Sequence, residues 1–194
     1  MDIRSKKIIL ASQSPRRKQL LSQAGFNFEI ITNPIDESFP EEMPVEEVAE
    51  FLALNKAKAV LPMVEAGQLV LAADSVVILN NKIYGKPVDE EDAHRILGEL
   101  SGQVHTVITG VCLADGRRSV TFSGVSRVYF NELTAQEIRD YVHTCQPFDK
   151  AGAYAIQEWI GLCKIEKIEG TYANVMGLPV NLVYQELKKW WEAE

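Results

Sequence analysis

The sequence predicts a mixed α/β fold, and three observations carry that prediction. A short apolar run, Ile8-Ile9-Leu10-Ala11, breaks into Ser12-Gln13-Ser14-Pro15 and then Arg16-Arg17-Lys18, the pattern of a buried strand feeding a helix. Two β-rich runs, residues 104–114 and 120–130, are joined across Asp115-Gly116, a hairpin signal. Long helical stretches at 45–61, 89–100 and 179–191 alternate with the strands. Strands linked partly by hairpins and partly through helices exclude a plain doubly wound sheet.

The elements follow in order. Ser14 supplies a hydroxyl N-cap and Pro15 takes the first helical position, where its missing N–H costs nothing. Leu20, Leu21 and Ala24 then form an apolar stripe, and Gly25 closes the helix. Residues 26–31 read as a second strand, and 32–44 as a polar, proline-punctuated loop carrying Asp36 and Glu37. After the helix at 45–61, residues 69–73 make a buried strand, followed by Asp74-Ser75 and the run 76–79. Asn80-Asn81 marks a tight turn. Asp89 is the N-cap of the next helix, and Thr134 and Glu137 have capping-box spacing before a helix at 134–143. Residues 160–168 read as a strand, and 171–179 as a turn leading into the closing helix.

At 194 residues the chain fits one domain, residues 1–194, with enough length to bury a core. Its 46% hydrophobic and 24% charged content is ordinary for a globular protein. A net charge of -7 argues against general nucleic-acid binding, which needs a broad basic surface. It leaves a small anionic substrate open. Cys112, Cys145 and Cys163 are odd in number and widely spaced, which suits a reducing compartment better than a disulfide framework or a zinc site. His94, His105 and His143 lack metal-ligand spacing. Neither a signal peptide nor a run of ~20 apolar residues is present, so the expected address is the cytoplasm, away from membranes.

Several charged residues stand where structure alone does not want them. Arg16, Arg17 and Lys18 oppose the macrodipole in the first turn of their helix. An anion held there, by backbone N–H groups, serine hydroxyls and guanidinium forks, turns that liability into a phosphate site. Lys56 falls in the middle of the apolar stripe Val48, Ala49, Leu52, Ala53, Ala59 and Val60. It must either snorkel out at an edge or meet a buried anion. Asp74 follows an apolar strand, where α/β folds place ligand chemistry, and can bind a divalent cation, polarise a water or simply close a turn. Gly85-Lys86-Pro87 fixes the direction of a lysine. Asp149-Lys150-Ala151-Gly152-Ala153-Tyr154, with Gln157 after it, suits either a pocket wall or a loop ion pair.

In this order the segments resemble the Maf family of nucleoside triphosphate pyrophosphatases. The resemblance rests on Ser-x-Ser-Pro-Arg-Arg (Ser12 to Arg17), the loop Glu37, Lys-Ala-x-Ala (Lys56 to Ala59) and Asp-Ser-Val-Val (Asp74 to Val77). Gly-Lys-Pro (Gly85 to Pro87), Leu-Ser-Gly…His (Leu100 to His105), Asp-Lys-Ala-Gly-x-Tyr (Asp149 to Tyr154) and Gly-Leu-Pro (Gly177 to Pro179) complete it. The match runs from about Ile8 to Trp191. It implies an elongated mixed sheet with flanking helices, two lobes around a central cleft, and kinship with inosine triphosphate pyrophosphatases. It also implies a homodimer, a divalent cation (Mg²⁺ or Mn²⁺), and hydrolysis between the α- and β-phosphates. The arginine of the first loop and Ile156-Gln157 resemble the branch that takes dTTP and UTP. Ser75 replaces the threonine more usual in that branch, and Glu158 a more usual glycine.

On that resemblance, Asp74, Lys56 and Lys86 are the expected catalytic residues, with Glu37 and Asp74 holding the metal. Ser12, Ser14, Arg16, Arg17, Ser75, Asp149, Lys150 and Gln157 are the expected substrate contacts. Gln157, with one donor and one acceptor, suits the imide edge of thymine or uracil. The other reading of the same resemblance is a nucleotide-binding regulator of cell division and septum formation that works without turnover. The three acids Glu37, Asp74 and Asp149 favour the enzyme, because a pure sensor has no use for them.

Overall fold

The computed structural model describes residues 3–192. Seven strands form one open sheet in the order β2-β1-β3-β5-β6-β7, with β4 added against β3. The strands are β1 (Ile8–Leu10), β2 (Phe28–Ile30), β3 (Leu69–Leu79), β4 (Lys82–Tyr84), β5 (Val104–Ala114), β6 (Ser119–Phe130) and β7 (Ile165–Glu169). The helices are α1 (Pro15–Gln23), α2 (Val48–Val60), α3 (Glu90–Leu100), α4 (Ala135–Cys145), α5 (Trp159–Cys163), α6 (Tyr172–Met176) and α7 (Val180–Glu192). Strand β1 runs parallel to β2 and β3, whereas β4 and β7 are antiparallel to their neighbours. The sheet is therefore mixed, as expected. No helix among the described residues is long and apolar enough to cross a membrane.

The chain divides into two compact units. The first holds the chain up to Asp74, then Thr109–Gly124 and everything from Gly177; the second holds Ser75–Ile108 and Val125–Met176. In the first unit α2 packs through Ala53, Ala57 and Val60 onto Ile9, Val70, Ala72 and Cys112 of the sheet. Ala57, not Ala59, completes that stripe. Gly110 of β5 makes the close approach possible. A Cβ there would lie 2.2 Å from the carbonyl carbon of Ala49 and 2.4 Å from its oxygen. In the second unit α3 and α4 bury Ile96, Leu97, Leu100, Ile138 and Val142 against Val107, Val128 and Phe130.

Local capping chemistry forms as the residue types dictate. The Asp89 carboxylate accepts from the Asp92 N–H at 2.8 Å, and the Thr134–Glu137 capping box is complete in both directions. Asn80 and Asn81 both take positive φ, as the tight turn requires.

Several further expectations need correction. Residues 171–179 are not only a turn, because α6 spans Tyr172–Met176. Residues 160–168 are not one strand: α5 occupies Trp159–Cys163 and β7 begins at Ile165. Gly161 explains this, because the α5 backbone folds so tightly on the preceding turn that a Cβ would meet the Ile156 carbonyl. Asp74 does not end its strand. It lies inside β3, three residues beyond Leu71, the last to pair with β1, so it still stands past the end of the parallel ladder. Finally, Ser14 is the N-cap of α1 but makes no side-chain capping bond; its own N–H donates to the Ser12 hydroxyl at 3.2 Å.

Candidate active site

The predicted site residues fall into two groups. Ser12, Ser14, Arg16, Arg17, Glu37, Lys56 and Asp74 belong to the first unit, and Ser75, Lys86, Asp149, Lys150 and Gln157 to the second.

In the first unit, the question left by Lys56 is settled: it meets anions. Its ammonium lies 2.7 Å from Glu37 Oε1 and is hydrogen-bonded to Asp74 Oδ1. The Lys56 and Asp74 side chains are largely shielded from solvent, at 17% and 14% exposed, while Glu37 is 46% exposed. Three remote pieces of chain make this cluster. The apolar face of α2 fixes Lys56 above the sheet, and β3 presents Asp74. The loop carrying Glu37 is tied down at both sides: Asn33 Nδ2 donates to the Ala59 carbonyl at 3.1 Å, and Asp36 accepts from the Ser38 N–H and hydroxyl, both at 2.9 Å. Those two bonds hold the Asp36 carboxyl below its ordinary range.

Arg17 extends the same charge field. It is buried, donates from Nε to the Gly177 carbonyl at 2.8 Å and from Nη1 to the Ser12 hydroxyl at 3.2 Å. Burial lowers its pKa, opposed chiefly by the attraction of Asp74, with Arg16 lowering and Glu37 raising it further. The three first-turn cations therefore sit in different surroundings. Arg17 braces the loop from Gly177, Arg16 is partly exposed and Lys18 is exposed.

In the second unit, Lys150 is buried and paired with Asp149 at 2.7 Å and with Glu158 at 3.4 Å. The Gly152 N–H donates to the Gly85 carbonyl at 3.0 Å, which joins the Gly85-Lys86-Pro87 turn to this segment. Gln157 Oε1 is buried and has no hydrogen-bond partner. A buried acceptor of this kind costs roughly 1–3 kcal/mol unless something donates to it.

Sequence reasoning missed the polar partners behind these groups. His105 is buried, its Nε2 2.7 Å from the Tyr154 hydroxyl, and its ring stands edge-on to Phe130. Burial depresses its pKa to about 4. Tyr141 of α4 reaches both Ala155 and Glu158. The position of His105 in the Leu-Ser-Gly…His segment and the unusual Glu158 were the only signals of either.

Among the described residues no group of three or more His, Cys, Asp or Glu converges as a metal site would. What does converge is a pair of carboxylates on one cation.

Known proteins resemble this chain over most of its length. The family model described as "Maf-like protein" matches residues 7–190. A "dTTP/UTP pyrophosphatase" of Phocaeicola vulgatus is 47% identical over 94% of this chain and 95% of its own length. A protein of the same name from Porphyromonas gingivalis is 45% identical over 99% of this chain and 98% of its own. Among solved structures, a nucleoside-triphosphatase / dITP/XTP pyrophosphatase from Mycobacterium abscessus is similar at 18% identity with a TM-score of 0.41, over 64% of this chain and 74% of that one.

Proposed function

Because this chain belongs to the Maf family, we propose that it is a nucleoside triphosphate pyrophosphatase that hydrolyses dTTP and UTP to the nucleoside monophosphate and pyrophosphate. The observation that carries the reading is the Glu37–Lys56–Asp74 cluster, two carboxylates drawn onto one cation beside the cationic start of α1.

A triphosphate carries about four negative charges, which have to be neutralised before water can approach phosphorus. Arg16, the N–H groups at the start of α1 and the hydroxyls of Ser12 and Ser14 bind phosphate oxygens. Arg17 contributes its charge while its Nε holds the Gly177 loop in place. Asp74 accepts the proton of the water that attacks the α-phosphorus. The α–β anhydride bond breaks and pyrophosphate leaves with the bonding electron pair. Lys56 and Lys86 stabilise the charge that builds on the phosphates, and Asp149 orients Lys150 for the same purpose.

The donor set fits a divalent cation. Glu37 and Asp74 already converge on a point occupied by an ammonium, and Mg²⁺ is typically held by one or two carboxylates plus substrate phosphates. Glu37 and Asp74 would hold Mg²⁺ or Mn²⁺, which supplies charge neutralisation and lowers the pKa of bound water. Lys56 would then turn from these carboxylates to the phosphates.

Gln157 reads the base. Its buried, partnerless Oε1 is an acceptor that matches the N3–H of thymine or uracil. Ser75, with Arg16 or Arg17, completes base or sugar discrimination. A homodimer acting in the cytoplasm completes the proposal, the former tested by sedimentation. The test of the activity is release of pyrophosphate, as against phosphate, from a panel of nucleoside triphosphates with Mg²⁺ or Mn²⁺. Pyrophosphate from dTTP and UTP supports the reading, and phosphate or no product refutes it.

A further inference from the structure

Residues 155–158 form a single turn, closed by the Glu158 N–H donating to the Ala155 carbonyl at 3.1 Å, with Gln157 at its third position. Both ends of that turn are attached to one atom. The Ala155 N–H donates to the Tyr141 hydroxyl at 3.1 Å, and the same hydroxyl donates to the Glu158 carboxylate. The other oxygen of Glu158 lies 3.4 Å from the Lys150 ammonium. Glu158 is the N-cap residue of α5, yet its side chain makes no capping bond; it is turned toward Tyr141 and Lys150 instead. From the other side α5 closes on the turn at Gly161, where there is no room for a Cβ.

We propose that Tyr141 is a positioning residue for base recognition, its one hydroxyl tying both ends of the turn that presents Gln157. The inference rests on the reading of Gln157 given above and deepens it. The geometry suits the task. A tyrosine buried in α4 is rigid, and its hydroxyl can accept one bond and donate another at once. Burial, and then the neighbouring Glu158, push the phenol pKa up, which keeps the proton on the oxygen that must donate it. A turn pinned at its first and last residues leaves the amide of Gln157 little freedom to flip or swing. Discrimination between bases that differ in donor and acceptor pattern depends on that rigidity, because an amide free to rotate offers either group to any base. The Glu158 carboxylate lets the tie reach the far end of the turn.

The experiment compares the wild type with Tyr141→Phe, Glu158→Ala and Glu158→Gln. It follows amide hydrogen exchange at Ala155 and steady-state kinetics with dTTP, UTP and dCTP. Tyr141→Phe and Glu158→Ala should each lower the dTTP-to-dCTP ratio of kcat/KM by about 10-fold, Tyr141→Phe doing so through KM with kcat for dTTP held within about 3-fold. Tyr141→Phe should also speed exchange at Ala155. Glu158→Gln, which keeps an acceptor for the hydroxyl, should retain the ratio. A discriminating wild type whose ranking survives both Tyr141→Phe and Glu158→Ala would overturn the inference alone. A wild type that treats all three bases equally would overturn the reading of Gln157 and this inference with it. Tyr141→Phe removes only the hydroxyl, and Glu158→Ala cuts one of its two bonds from the other end, so the ranking of the second variant decides the matter where the first folds poorly.

Discussion

Gly110→Ala tests how the fold delivers Lys56 to its partners. The added Cβ would sit 2.2 Å from the Ala49 carbonyl carbon, 2.3 Å from the Glu50 nitrogen and 2.4 Å from the Ala49 oxygen. All three are backbone atoms, so no side chain can rotate away. Ordinary contact begins near 3.4 Å, and the first turn of α2 must therefore lift by roughly 1 Å. Overpacking of this kind typically costs about 1–3 kcal/mol. For a chain of this length each kcal/mol lowers Tm by roughly 2–4 °C, which puts the expected loss at about 2–12 °C. Lys56 lies two turns further along the same helix, about 10 Å from Ala49, and tilts with it. A misplacement of about 1 Å in a catalytic group can cost on the order of 100-fold in rate. Calorimetry and pyrophosphate release, measured on the same preparation, should both fall. A Gly110→Ala protein with unchanged Tm and unchanged turnover would refute the close seating of α2 on β5 and its part in placing Lys56.

Other predictions follow from single contacts. His105 is buried and its pKa is depressed from 6.5 to about 4, so the folded state binds fewer protons than the unfolded chain across that window. Stability should be full above pH 6.5 and decline as pH falls through 4, by about 3 kcal/mol in total, in urea titrations. His105→Gln should flatten that limb, and an unchanged pH dependence would remove His105 as its source. Glu99 is held near a pKa of about 2, first by Lys82, then by Tyr84 and Arg95. Its contribution is present above the usual 4.5 and disappears as pH falls toward 2, so Glu99→Gln should lower stability at neutral pH and leave it alone in strong acid. Gln157→Leu should change the ranking of dTTP, UTP and dCTP more than the best rate; an unaltered ranking would end its assigned role.

The parts of this structure that were legible in the sequence are those made by local chemistry. Asp89 and Asp92, Thr134 and Glu137, and the Asn80-Asn81 turn each satisfy backbone groups within four residues, so residue type and spacing were enough. What could not be read depends on distant approach. The run from Ile160 has the composition of a strand, but α5 forms there because Gly161 lets the chain close on Ile156. Strand β4 is only three residues long, and its partner Val77–Leu79 was needed to define it. The misfit of Lys56 on an apolar stripe was visible, whereas its answer required a loop and a strand from elsewhere in the chain. The same holds for Arg17, whose periodicity suggests a surface helix while its guanidinium is used on Gly177. Residue types at Glu37, Lys56 and Asp74 pointed to the chemistry, and their convergence is a property of the fold alone.

In the proposed mechanism the Glu37–Lys56–Asp74 cluster performs hydrolysis and Asp74 takes the proton. Its most direct measurement is turnover of dTTP by Asp74→Asn beside equilibrium binding of the same nucleotide. Loss of a general base is typically worth about 10²–10⁴-fold, so kcat should fall by that factor while binding is largely kept. Asp74→Asn with undiminished pyrophosphate release would contradict the claim. Binding without release by the wild type as well would leave the cluster a nucleotide sensor.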